Sequence, residues 1–342
     1  MKTRVKMKKI LEKPKNRVQT IVSNSDYEHG DSCLVTISDQ HMVNNSSYGK
    51  YNSIGVNSDL EDKFYTMQEA SDVAAYIGAP LVSIGDLLDQ RNIDGVTSDY
   101  TSKWISGLKS SAIPEFIILG GNHEYNDSAA MFSTLKHYKY FCPPFLEGKG
   151  IIAVDPSRHI IEHKPGEGIF FSCIPANKKI EKFVKEELIW FKKNKKKLEN
   201  SFNWKVMPVI THHVMLLHGG IEGADLGSMC APDGISASLI DECAAAYDWV
   251  ICGDFHKFQF VNEHKNVYYC GSPKQMNMGD INHKRGYQIL NLTKGTVNFV
   301  KSLAPTFKMI EIVCGEYIHP WIKKPEKYKE KVKNRIIVIK IT

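Results

Sequence analysis

The sequence has little that would staple or anchor it. Its eight cysteines (Cys33, Cys142, Cys173, Cys230, Cys243, Cys252, Cys270 and Cys314) lie far apart and form no CxxC pair. That spacing argues against both a disulfide framework and a cysteine zinc site. Several sit inside apolar segments such as IFFSCIP, VICGD and VYYCGS, as reduced core thiols do. No stretch approaches the roughly 20 apolar residues a membrane span needs. The start, MKTRVKMKKILEKPKNR, is basic but lacks the apolar h-region and small-residue cleavage site of a secretory signal. A cytoplasmic chain with no membrane partner is expected. There is no internal repeat and no low-complexity linker.

What is present is a globular composition. The chain has 342 residues, 42% apolar and 24% charged, enough for one large domain with an appendage or for two domains. A net charge of +6 permits a phosphate-rich partner without requiring one.

Short apolar runs alternate with helical spacing in the first half. CLVTIS (33–38) reads as a buried strand, and the preceding RVQTIVSN as an edge strand. DLEDKFYTMQEASDVAAYIG places Leu60, Phe64, Met67, Ala70 and Ala74 on one side of a helix. APLVSIGD is the next strand, a second helix surrounds Ser98 to Ser110, and EFIILGGN is a third strand. After Pro144 the pattern becomes more β-like, with GIIAVD, RHIIEH and GIFFSCIP, the last two joined by the turn PGEG. MPVITHH, YDWVICGDFH, NVYYCGSP and GYQILNL resume the strands. The order predicts stacked α/β layers with ligand groups at the carboxyl ends of strands.

Five such ends carry chemistry: SDQH (38–41), GDLLD (85–89), GGNHE (120–124), THH (211–213) and GDFH (253–256). Each puts Asp, Asn or His just past an apolar run, and the glycines permit tight turns. In extended backbone residues i and i+2 point the same way, so Asp39 with His41, and Asp254 with His256, each aim two ligand-type groups at one spot. One such end is more often a cap or a turn than a ligand; five together point to a site. Carboxylate, imidazole and amide donors suit a pair of borderline divalent ions, and ions about 3.5–4 Å apart clamp the attacking and leaving oxygens of a phosphoester.

The series resembles the calcineurin-like metallophosphoesterases, whose pattern is DxH, GDxxD, GNH[DE], a lone His after a strand, and GHxH. With YYCGSPKQMNMGDINHKRGYQILNL downstream it looks most like the SbcD-type break-repair nucleases, phage-encoded relatives especially. The resemblance covers roughly residues 33 to 290. It implies an α/β/β/α sandwich with a small C-terminal accessory region. The expected boundaries are a basic extension over 1–30, the phosphoesterase domain over 31–292 and the accessory region over 293–342. That region ends on RIIVIKI, as an edge strand or a domain cut short.

Carried over residue by residue, the resemblance implies that Asp39, His41 and His256 bind one ion, that Asp86 bridges, and that Asn122 and His212 bind the other. His212 is preferred to His213 because it directly follows the apolar run. His123 would be the general acid, with Glu124 orienting it. The departure is Asp254, where the family has His; a carboxylate can still bind the second ion, with less Lewis acidity left to it. Mn²⁺ is the implied metal, with Fe²⁺, Zn²⁺ or Mg²⁺ as alternatives. DNA, an SbcC-type ABC ATPase and a second copy of the chain are the implied partners.

Three functions stay open: a Mn²⁺-dependent DNA exonuclease or endonuclease of an SbcCD-type complex, a phosphoesterase acting on a nucleotide or other small phosphoester, and a scaffold subunit weakened through Asp254. The lysine-dense amphipathic segment over 178–205 offers Lys192, Lys193, Lys195, Lys196 and Lys197 as DNA contacts if it flanks the cleft; otherwise they form a solvated face. His218, in LLHGG, reads as a satisfied histidine ahead of one lining the cleft.

Overall fold

The computed structural model describes residues 14–125, 133–136, 138, 149–200, 208–225, 234–312 and 335–341. Two mixed six-stranded sheets form its centre. The first runs β12-β11-β1-β2-β3-β4, with β1 Cys33–Ile37, β2 Leu81–Ile84, β3 Phe116–Leu119, β4 Ile151–Ala153, β11 Gly286–Asn291 and β12 Thr296–Lys301. Strands β1 to β4 are parallel, and β11 runs antiparallel to both its neighbours. The second sheet runs β5-β6-β7-β8-β10-β9, with β5 Ser157–Lys164, β6 Glu167–Ile174, β7 Val209–His218, β8 Trp249–Gly253, β9 Gln259–Phe260 and β10 Val267–Tyr269. Its four central strands are parallel, and β5 and β9 are antiparallel edges.

Alternation along the strands explains the layering. Leu34, Val82, Ile84, Ile117 and Leu119 face inward against Phe171, Val214, Leu216 and Ile251 of the other sheet. Their neighbours Val35, Ile37, Leu81, Phe116 and Ile118 face outward beneath helices. Strands covered on both faces need apolar side chains at every position, hence the continuous runs in the sequence. Helices α1 (Pro14–Ser23), α2 (Ser58–Ile77) and α3 (Gly95–Ser110) cover the first sheet; α4 (Ile180–Asn200) and α5 (Ala237–Ala246) cover the second. The result is the expected α/β/β/α sandwich. Each fully buried aliphatic side chain stabilises it by about 1.5–3 kcal/mol.

The crossover helices set the strand ends. Asn57 caps α2 by accepting from Asp59 N–H, and Gly78, at φ +66°, ends it in the left-handed conformation. Leu60, Met67, Ala70 and Ala74 on that helix are fully buried, with Phe64 packed at the margin. Asp94 caps α3 through Val96 and Thr97 N–H, so the helix starts at Gly95, three residues earlier than the sequence spacing suggested.

Two expectations change. RVQTIVSN belongs to α1, not to an edge strand: Val18 and Val22, one helical turn apart, are buried, and Arg17 pairs with Glu69 of α2. The boundary expected at 292 falls too early, because β12 completes the first sheet by pairing along the whole of β11. Beyond it, β13 (Thr306–Ile312) and β14 (Arg335–Ile341) form a separate parallel pair. Cys33, Cys173, Cys243, Cys252 and Cys270 are buried free thiols; Cys142, Cys230 and Cys314 lie outside the described residues.

Candidate metal centre

Strands β1, β2 and β3 of one sheet and β7 and β8 of the other end at the same place. Among the described residues, six non-glycines have left-handed φ, and four are Asp39, His41, Asp86 and Asp254, with φ of 51°, 46°, 49° and 103°. Such conformations cost on the order of 1–3 kcal/mol each and persist only where the surroundings enforce them. Here backbone bonds do so. Asp39 N–H donates to Gly85 O at 3.1 Å, His41 N–H to Asp86 O at 2.9 Å and Met42 N–H to Leu87 O at 2.9 Å. The first two motif loops are thereby zipped together. Lys63, a buried cation of α2, donates from Nζ to His41 O at 2.7 Å and pairs with Asp59 at 3.0 Å. Glycine is required at two contacts: a Cβ on Gly85 would overlap the His218 ring, and one on Gly121 would overlap Asp86.

The side chains converge. Donor atoms of Asp39, His41 and His256 lie within 4.8 Å of one another, as do those of Asp39, Asp86 and His218. His41 Nε2 is 3.1 Å from His256 Nε2 and 3.7 Å from Asp86 Oδ2. His218 Nε2 is 3.1 Å from Asn122 Oδ1, 3.4 Å from Asp86 Oδ2 and 4.0 Å from Asp254 Oδ1. Its Nδ1–H donates to Ile84 O at 2.8 Å, which turns the Nε2 lone pair toward the cluster. Asp254 N–H donates to Asp39 Oδ1 at 3.0 Å, tying the two sheets together through the site.

These residues fit a pair of divalent cations. Asp39 is fully buried, and its Oδ2 has no hydrogen-bond partner among the described residues, an arrangement that calls for a cation. Without an ion the acids and imidazoles compensate one another. Burial pushes Asp39 up to about 6, against the pull of His218, with Asp86 adding to the rise. Burial opposes ionisation of Asp86 too, but His218, His41 and His123 hold it well below the usual carboxylate range. His218 rises well above an ordinary imidazole because Asp86, Asp39 and Asp254 outweigh its burial. Burial and the adjacent His41 lower His256 to about 4. Asp39, Asp86, Asp89 and Asp254 bring four negative charges to the cluster and its rim, the charge of two divalent ions. Asp254 stands at the edge of the cluster, with Oδ1 4.0 Å from His218 Nε2.

His212 does not join the cluster. It lies within β7, paired with Ile169, and six residues of strand, about 20 Å, separate it from His218 at the carboxyl end. Its ring stands 6.5 Å from that of His163. His213 is buried against Phe191, with ring centroids 5.2 Å apart, and lies near Asp248. The strand continues through VMLL, so the lone histidine at its end is His218.

Glu124 acts on backbone instead of on His123. Its Oε1 accepts from Leu88 N–H at 2.8 Å and its Oε2 from Gly121 N–H at 2.7 Å, bracing two motif loops from a fully buried position. His123 is oriented by Asp89, whose carbonyl accepts from Nδ1–H at 2.7 Å. Burial lowers the pKa of His123, but Asp86 and the Asp89 carbonyl more than offset it. The Asp89 carboxylate also reaches His41 Nδ1 at 3.1 Å. Asp89 is the second acid of GDLLD, and that repeat of the acid was the signal for it.

The α4 lysines do not reach the cleft. A crossover between parallel strands runs back against them, so α4 starts beside Gly219, where Ile180 packs, and ends toward the amino edge of the sheet. There Lys192 pairs with Glu242 at 2.8 Å and Lys195 donates to Ala246 O at 2.8 Å. Lys193, Lys196 and Lys197 are exposed at the same end.

A cleft of about 420 Å³ opens over His41, Asp86, His123, Asp254 and His256, walled by residues 45–48, Lys63, Met276 and Asn277.

Neither a protein-family model nor a curated protein matches the chain. Solved structures similar to it include a dimetal phosphatase from Danio rerio, at 9% identity over 75% of this chain and 91% of that one, TM-score 0.38. They also include phosphopantetheinyl hydrolase from Mycobacterium tuberculosis, at 14% identity over 72% and 92%, TM-score 0.35. A third is the calcineurin-like phosphoesterase YfkN from Bacillus subtilis, at 14% identity over 79% and 88%, TM-score 0.37. Likeness at this level carries no statement about substrate.

Proposed function

We propose that the chain is a two-metal phosphodiesterase acting on DNA. The observation that carries this reading is the shape of the cleft. It continues past the cluster into a second cavity of about 440 Å³, and the two share Asp254, His256 and Asn277. The cluster thus stands along an open trough with room on either side. A phosphodiester has a substituent on each side of phosphorus and uses both halves, whereas a monoester needs one.

Asp39, His41, His256 and Asp86 would hold one ion; Asp86, Asn122, His218 and Asp254 would hold the other. When bound, two such ions polarise the phosphate and lower the pKa of an attacking water. His123 faces the cleft with its Nδ1–H committed to the Asp89 carbonyl, so Nε2 is the atom from which a proton can pass to the leaving oxygen. The nearby Asp86 carboxylate favours the charged ring that this transfer requires. Lys63 and Glu124 hold the motif loops in register through His41 O and Leu88 N–H.

Mn²⁺ as the working ion, an SbcC-type ABC ATPase partner and a homodimer extend the reading by resemblance. The test is Mn²⁺-dependent hydrolysis of bis(p-nitrophenyl) phosphate, linear duplex DNA and single-stranded DNA, beside p-nitrophenyl phosphate, with Asp86→Ala as the blank. Cleavage of the diesters by the wild type alone is expected. Turnover of the monoester only would move the assignment to small phosphoesters, and fewer than two bound ions in a folded wild-type chain would favour the scaffold.

A further inference from the structure

A third cavity, of about 130 Å³, adjoins the second, with which it shares His283 and Arg285. Its lining contains Lys274, Lys284, Arg285 and Lys301 and no carboxylate. Two of these cations are already compensated: Lys274 is buried against Asp59 and Asp62, and Arg285 Nη2 binds Asp280 Oδ1 at 2.5 Å. Lys284 and Lys301 are exposed, and neither ammonium has a carboxylate partner among the described residues.

Two surface lysines alone would be a solvated pair. The buried guanidinium beside them argues for more. Arg285 is 4% exposed, yet its Nε–H finds no acceptor among the described residues. A buried donor of that kind calls for an anion or ordered water. Arg285 also donates through Nη1 to the carbonyl of His256, so the recess is bonded directly to a loop of the candidate metal centre.

Resting on the phosphodiesterase reading, we propose that this recess is an anion subsite for a second phosphate of the substrate, one set off from the phosphate that is cleaved. The substrate class it selects is a phosphodiester carrying a further phosphate, as every internal linkage of a nucleic acid strand does. The second cavity borders the metal cleft at Asp254, His256 and Asn277 and the recess at His283 and Arg285, so it lies between the metals and the paired lysines.

The test has a binding arm that does not depend on catalysis. With a chelator present, calorimetry on the full chain compares the dinucleotide TpT with pTpT and TpTp. At least one phosphorylated form is expected to bind about tenfold tighter than TpT, and Lys284→Glu with Lys301→Glu should close that gap. Equal affinity for all three, or a gap that survives the double substitution, overturns the subsite. In a second arm with Mn²⁺, the ratio of kcat/KM for the favoured phosphorylated dinucleotide to that for TpT should fall about tenfold in the double variant. An unchanged ratio refutes the subsite. If the wild type cleaves neither dinucleotide, the binding arm decides on the recess, and absence of turnover of bis(p-nitrophenyl) phosphate and DNA as well refutes the phosphodiesterase reading.

Discussion

Replacing His218 with asparagine tests the geometry most directly, because the residue is buried, central and distinct from the histidine the sequence favoured. In the ion-free chain His218 is the buried cation opposite Asp86, Asp39 and Asp254. Its loss leaves those carboxylates uncompensated, at a cost of about 3–5 kcal/mol. It also removes a candidate ligand of the second ion. An ion present at a hundredfold excess over its Kd stabilises the fold by about 2.7 kcal/mol, which in a chain this size raises Tm by about 4 °C. Wild-type protein should therefore gain about 8 °C from saturating Mn²⁺. His218→Asn should start lower in chelator and gain only about half as much. Metal analysis after gel filtration should give two ions per wild-type chain and one per variant. His212→Asn, some six residues back in the same strand, should match the wild type in both measurements. If His218→Asn keeps both ions, or His212→Asn loses one, the assignment of β7 to the metal centre is wrong.

Three further outcomes are expected. Asp254→Ala should weaken Mn²⁺ binding by about 10–100-fold by calorimetry, whereas Asp254→His should still bind two ions; indifference to both changes would remove Asp254 from the site. Substituting Lys192, Lys193, Lys195, Lys196 and Lys197 with alanine should leave the salt slope of DNA binding as it is, because these residues stand at the far end of the strands; a shallower slope would place DNA there. His163 is packed beside Ser32, and burial, with Lys164 and His212, lowers its pKa to about 4. The unfolded chain takes up that proton near pH 6.5, so this residue's contribution is complete above pH 6.5 and is lost as pH falls toward 4. Up to about 3 kcal/mol is at stake, and His163→Gln should flatten the denaturation midpoint across that interval.

The parallel strands of the first sheet were legible because burial on both faces leaves no polar positions, and the ligands follow where the apolar run stops, as at Ile37, Ile84 and Leu119. Strand β7 hid its end for a local reason. Thr211 and His212 sit near the amino edge of the sheet, where side chains emerge partly into solvent, so the apolar run seemed to finish at Ile210. Helix α1 misled in the opposite way. RVQTIVS is rich in β-branched residues, which favour strands, and contact of Val18 and Val22 with α2 overrides that preference. Nothing in TVNFVK signals that it completes the first sheet, since the pairing partner lies in β11. The recess around Arg285 was equally hidden, being assembled from segments near 273, 284 and 301 that carry no shared pattern.

Both sheets supply donors: Asp39, His41, Asp86 and Asn122 follow strands of one, and His218, Asp254 and His256 come from the other. A bound cation pair would therefore act as a rivet across the seam of the sandwich. The halves would be clamped at the rim where catalysis is proposed, while at the opposite rim side-chain packing is joined by hydrogen bonds such as His163 to Ser32 and Lys164 to the Gly30 carbonyl. Any treatment that strips the ions would loosen the mouth of the molecule before its base.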